Sequence, residues 1–140
     1  MDPNKPTILV IEDDLSQLQL AEEILKEEGY AVLPCKSGIM AMDFLERSSV
    51  DLIVSDIRMP DIDMNHLLGY LAIHYARIPV IITTAYPEYE VLVRKSGNTV
   101  RDFFQKPLDY ERLKTSIAKH LSHAQPRAKW TSTATESNAI

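Results

Sequence analysis

Only one cysteine occurs among the 140 residues, so no internal disulfide can form. Cys35 lies in an apolar stretch, which marks it as a buried, inert thiol in a protein of a reducing compartment. Basic residues are outnumbered, 15 Lys and Arg against 20 Asp and Glu, and the net charge of −5 leaves no basic patch able to neutralise nucleic-acid phosphates. No run reaches membrane-spanning length, and Met1 to Lys5 is polar where a signal peptide would be apolar. The expectation is a cytoplasmic protein with no membrane or nucleic-acid contact of its own. Glycine is scarce, with four in the chain, and none follows the first apolar run, where a nucleotide-binding fold would carry a glycine-rich turn. Four histidines, His66, His74, His120 and His123, lack the convergent spacing of a metal site and read as helix-face or surface groups.

What is present is ordinary globular composition, 45% hydrophobic and 25% charged, at a length that fills one domain. Short apolar runs recur at Thr7 to Ile11, Tyr30 to Leu33, Leu52 to Ser55, Val80 to Thr83 and Phe103 with Phe104. The first, third and fourth are β-branched and nearly unbroken, as central parallel strands are when helices cover both faces. The second, followed by Pro34, reads as an edge strand. Helical periodicity fills the gaps: Leu15 to Glu28, Ile39 to Arg47, Met64 to Tyr75, Glu88 to Lys95 and Tyr110 to Leu121. Asp14 with Gln17 has the form of a capping box, and Gly29 is placed to end the first helix. The pattern predicts a doubly wound α/β fold over residues 1–121, with Ser122 to Ile140 as a disordered tail or linker despite Arg127, Lys129 and Trp130.

In such a sheet the functional groups gather beyond the carboxyl ends of the strands. The first strand stops at Glu12-Asp13-Asp14, and the third ends on Asp56. Clustered carboxylates repel one another, which raises a pKa or demands a cation. Oxygen-only ligands with no nearby Cys or His suit Mg²⁺ or Mn²⁺, which keep waters and accept phosphate oxygens. The fourth strand ends in Thr83-Thr84, offering a hydroxyl, and Gln105-Lys106-Pro107 follows the fifth with an ammonium. Taken singly these are ordinary residues: acids at a helix N-terminus, a turn aspartate, a strand-end threonine, a solvated lysine, a core phenylalanine. Together they make a phosphate site.

Four segments in register, ILVIEDD, DLIVSDIRMPDID, PVIITTA and DFFQKPLD, resemble the signature segments of response-regulator receiver domains, over about Pro6 to Leu121. The resemblance implies a five-stranded parallel sheet of flavodoxin-like order 2-1-3-4-5 with helices on both faces. It implies a phosphoacceptor, not an independent enzyme, in which Asp56 takes phosphate from a sensor histidine kinase or phosphotransfer protein. Asp13 would bind the metal directly and Glu12 mainly through a water, with Asp56 and the backbone carbonyl of Arg58 completing the set. Lys106 would pair with the phosphate, Thr84 would donate a hydrogen bond to it, and Phe103 would be the aromatic switch. The switching surface would be that of the fourth helix, fifth strand and fifth helix, also a candidate homodimer face. A cis Lys106-Pro107 bond is expected. The resemblance also implies that Tyr86, with Arg58, would tune signal lifetime.

Three departures stand out. Glu12 replaces the usual Asp. Met64 replaces a Gly in the loop after the third strand, where a positive φ is costly for Met, so a rebuilt loop is expected. Thr99-Val100 replace Gly-Ala before the fifth strand, just after Gly97-Asn98, which predicts an early end or shift of the fourth helix. These changes motivate an alternative, a receiver-like protein-binding scaffold that works without phosphate.

Overall fold

The computed structural model describes residues 4–59, 61–95 and 99–122. Strands and helices alternate: β1 (Thr7–Ile11), α1 (Leu15–Glu27), β2 (Ala31–Cys35), α2 (Gly38–Arg47), β3 (Leu52–Asp56), α3 (Met64–His74), β4 (Val80–Thr84), α4 (Tyr89–Lys95), β5 (Val100–Gln105) and α5 (Tyr110–Ser122). All pairings are parallel, as the pattern of runs predicts, and the order is β2-β1-β3-β4-β5, as the resemblance implies.

The central strands are buried on both faces because successive side chains point to opposite layers. Leu9, Ile11, Ile53, Val80 and Ile82 meet Ala41 and Leu45 of α2, Leu67, Leu68 and Leu71 of α3, and Val93 of α4. Ile8, Val10, Leu52, Val54 and Ile81 meet Leu18, Ala21 and Leu25 of α1 with Leu113 and Ile117 of α5. Phe103 and Phe104 divide the same way, the first packed on the α2–α4 side and the second on the α1–α5 side.

Helix α1 begins and ends as its sequence signals predict. The Asp14 carboxylate accepts the Gln17 N–H at 3.1 Å, and Gly29 takes φ +95°. Tyr30 N–H reaches the Leu25 carbonyl and Gly29 N–H that of Lys26, a complete Schellman turn. The return half of the capping box is filled differently, since the Asp14 N–H donates to Glu12 Oε2 at 3.1 Å.

Three expectations about local structure are corrected. Strand β2 does not stop before Pro34 but runs through it to Cys35. Ala31 N–H and the Cys35 carbonyl bond toward β1, so alternation turns the Pro34 nitrogen to the open edge, where a missing donor costs nothing. Strand β5 is longer than its aromatic pair, because Val100 to Gln105 lies at the other edge, half covered, and tolerates Arg101 and Asp102. Met64 does not sit in a positive-φ loop: it is the first residue of α3, buried, with Asp63 as N-cap accepting the Asn65 N–H at 3.3 Å. Of the segment before β5, Gly97 and Asn98 lie outside the described residues; of the tail predicted from Ser122, that residue instead closes α5 and the rest, from His123, lies outside the described residues; α4 starts one residue later than expected and runs to Lys95. Thr99 is buried, and its hydroxyl has no hydrogen-bond partner among the described residues.

At the end of the sheet where the strands begin, Asp51 joins β3 to β1. Its N–H donates to the Thr7 carbonyl at 2.8 Å, and its carboxylate accepts the Thr7 N–H at 2.7 Å.

Candidate functional site

Register places the acids. Ile11 pairs with Ser55 across β1 and β3, so the residues that follow, Glu12 and Asp56, leave the sheet side by side. Glu12 is held there by its N–H, which donates to the Cys35 carbonyl at 2.9 Å and extends the β1–β2 ladder by one residue. Asp13 is exposed at the turn into α1. One carboxylate oxygen from each of Glu12, Asp13 and Asp56 lies within 4.8 Å of the others. They face a cleft of about 550 Å³ whose rim includes Gln17, Arg58, Tyr86 and Lys106.

Lys106 closes the cluster. The Lys106-Pro107 bond is cis, and the Lys106 N–H donates to the Thr84 carbonyl at 2.7 Å. Its Nζ lies 2.6 Å from Glu12 Oε1 and 3.0 Å from Asp56 Oδ2. Burial raises the Glu12 carboxyl above its ordinary value, against the opposing pull of the Lys106 hydrogen bond. Burial lowers Lys106, but its hydrogen bonds to Glu12 and Asp56 outweigh this and hold the ammonium above its usual range. Both directions fit a partly buried cluster that is short of positive charge. Two negative groups share one ammonium while Asp13 stands beside them.

The remaining oxygen of Asp56, Oδ1, accepts the Arg58 N–H at 3.2 Å, which folds the chain after β3 back toward the carboxylate. The Arg58 guanidinium lies over the Tyr86 ring, 4.7 Å from its centroid, and so links the loops after β3 and β4 across the cleft. Thr84 is fully buried, and its Oγ1 accepts the Tyr86 N–H at 2.9 Å. It does not line the cleft, although Ala85 and Tyr86 do. Phe103 is half-buried on β5.

Glu12, Asp13, Asp56 and Lys106 are therefore brought together as sequence reasoning places them, with Arg58 alongside, Thr84 just beneath and Phe103 one strand away. Sequence reasoning missed the two ion pairs of Lys106, having reserved its charge for phosphate. It named Gln17 only as the capping partner of Asp14, although its place one helical turn beyond Asp13 and Asp14 also puts it at the cleft. A further omission is Asp61. Its carboxylate accepts the N–H groups of Gly38 at 3.0 Å and Ile39 at 2.9 Å, and no local pattern signals a partner more than 20 positions away.

The donor set suits a hard cation: carboxylate oxygens in a cluster, no Cys or His, and a deficit of positive charge. Comparison with known proteins agrees. The family model described as "Response regulator receiver domain" matches residues 8–118. The Escherichia coli transcriptional regulatory protein ZraR is 33% identical over 116 residues, which are 83% of this chain and 26% of that protein. The sporulation initiation phosphotransferase F of Bacillus subtilis is 27% identical over 81% of this chain and 92% of its own length. The crystal structure of response regulator protein TrrA from Thermotoga maritima, in complex with Mg²⁺-BeF, superposes with a TM-score of 0.75 at 27% identity, covering 82% of this chain and 98% of that one. The chain thus spans about a quarter of the regulator's length and nearly all of the single-domain relative's.

Proposed function

The chain belongs to the response-regulator receiver family, and on that footing we propose that Asp56 accepts a phosphoryl group, in a reaction that needs Mg²⁺ or Mn²⁺, from a partner histidine kinase or phosphotransfer protein. One observation carries this reading: Glu12, Asp13 and Asp56 converge within 4.8 Å beside a single ammonium. The relative crystallised with Mg²⁺-BeF supports the same choice of cation.

Asp13 and Asp56 would hold the ion directly, Glu12 mainly through a water, and the Arg58 carbonyl would complete the protein ligands. When bound, the ion neutralises charge on the phosphoryl oxygens in transit. An Asp56 oxygen forms the new bond to phosphorus as the bond from phosphorus to the donor's imidazole nitrogen breaks. Lys106 then has a third anionic partner within its reach. Thr84 already accepts from Tyr86, so its own hydroxyl proton remains to be given to a phosphoryl oxygen, and that requires its loop to move inward. Phe103 shares the α2–α4 layer with Val93 of α4 and is placed to feel that movement. The alternative of a phosphate-independent scaffold drew partly on Met64, and Met64 proves to be an ordinary buried residue at the start of a helix.

Incubation with Mg²⁺ and acetyl phosphate, followed by intact-mass measurement, tests the proposal. One added phosphate is expected for the wild type and none for Asp56→Asn. A wild-type protein that gains no mass, or a variant that still does, refutes the assignment.

A further inference from the structure

The loop between β3 and α3 is fastened to the start of α2 by two contacts that no local signal requires. Helix α2 begins at Gly38 with no acidic residue in its first turn. Its first exposed N–H groups are satisfied from outside: Asp61 Oδ1 accepts Gly38 N–H at 3.0 Å, and Oδ2 accepts Ile39 N–H at 2.9 Å. Ser37 Oγ accepts the Met40 N–H at 3.1 Å and completes the cap. The neighbouring Ile62 lies over Gly38 so closely that a Cβ there would meet Ile62 Cγ2 at 1.9 Å. The same loop starts at Asp56, whose carboxylate holds the Arg58 N–H, and Ile57 N–H donates to the Thr83 carbonyl at 3.1 Å. Arg58, the residue whose carbonyl faces the task of holding the cation, is therefore spanned by two anchors. One is the sheet at Asp56 and Ile57; the other is α2, gripped by Asp61 and Ile62.

We propose that Asp61 is a positioning residue for the reaction at Asp56: by clamping the loop to α2 it fixes the Arg58 backbone at the distance the cation requires. This rests on the reading of Asp56 as a cation-dependent phosphoacceptor. Asp61 touches neither cation nor phosphate. Groups that hold metal ligands in place typically matter tenfold or more to affinity, so the half-saturating Mg²⁺ concentration should rise by about tenfold in Asp61→Ala. The phosphorylation rate at saturating Mg²⁺ should stay near that of the wild type, because the reacting groups are all intact. Gly38→Ala, which pushes Ile62 away from α2, should give the same shift by a different route. Gly29→Ala serves as the control: it strains the end of α1, far from the loop, and lowers stability without touching the clamp.

The experiment measures the rate of phosphorylation by acetyl phosphate across a Mg²⁺ titration, with Mg²⁺ affinity read separately by calorimetry and folding by urea denaturation. The proposal is supported if both clamp variants need more Mg²⁺ for half-saturation and bind it more weakly while Gly29→Ala, destabilised elsewhere, does not. Partial recovery in Asp61→Asn, which keeps one acceptor oxygen, supports it further. It is overturned if Asp61→Ala loses stability but keeps the wild-type Mg²⁺ half-saturation, for then Asp61 only caps a helix. A wild type that neither binds Mg²⁺ nor takes phosphate would instead refute the underlying reading of Asp56.

Discussion

Replacing Lys106 by Met keeps most of the aliphatic stem and removes the only ammonium shown between Glu12 and Asp56 among the described residues. The side chains of Lys106, Glu12 and Asp56 are 13%, 8% and 13% exposed, so neither carboxylate can recover a full water shell. Removing one partner of a buried pair typically costs about 3–5 kcal/mol, against 0–1 for an exposed one. The lower part of that buried range is expected, because Glu12, already raised by burial, can take up a proton and shed part of the penalty. Urea unfolding at neutral pH should therefore show a loss of about 3 kcal/mol with EDTA present. Saturating Mg²⁺ should stabilise Lys106→Met by more than it stabilises the wild type, since the variant offers the ion two uncompensated acids and no competing ammonium. An equal loss with and without Mg²⁺, or a loss within the range of a surface ion pair, would refute the account of a partly buried cluster short of positive charge.

Gly29→Ala should cost about 1 kcal/mol, because φ +95° strains any side chain even though no atom lies within 4 Å of the added Cβ; denaturant midpoints would measure it. Ser116→Ala removes a 2.6 Å hydrogen bond to Asp102 Oδ2 that ties α5 to β5 and should cost about 1.5–3 kcal/mol, read the same way. The pH dependence of Asp61 has a definite sign. Burial opposes its ionisation, but hydrogen bonds from Ile39 and Gly38 prevail and hold the carboxyl below its ordinary 3.8. The advantage of wild type over Asp61→Asn is thus full above that value and lost as pH falls through the lower folded-state one. Unfolding curves of the two proteins should therefore converge in acid and stay apart at neutral pH; a gap that persists in strong acid would contradict this.

The parts of the fold legible in the sequence are those governed by local rules. Strands β1, β3 and β4 announce themselves because burial on both faces demands unbroken apolar runs. The ends of α1 are equally plain, since Asp14 and Gly29 each answer a backbone need of their own helix. Edge strands are harder: one open side frees β2 to keep Pro34 and β5 to carry Arg101 and Asp102, which dilutes the pattern. Met64 misleads for a different reason, because a loop position was inferred where a helix already begins. At the site, the motif names Glu12, Asp13, Asp56, Thr84 and Lys106, yet it is silent on how they partner one another. The Lys106 pairing spans 94 and 50 positions, and the Asp61 clamp reaches back to Gly38 and Ile39 on the same face of the sheet. Such contacts depend on register and packing, which no short window contains.

The Asp51–Thr7 pair at the opposite end of the sheet acts on this site as a ruler acts on a mark. Five residues of strand, about 16 Å, separate Asp51 from Asp56. Across that length the β1–β3 register from Ile8↔Leu52 to Ile11↔Ser55 admits no slip, since sliding by one residue would turn Asp56 to the other face. The double hydrogen bond between Asp51 and Thr7 sets the zero of that scale. The gap between two carboxylates at the mouth of the cleft is therefore decided at the opposite end of the sheet from the cleft.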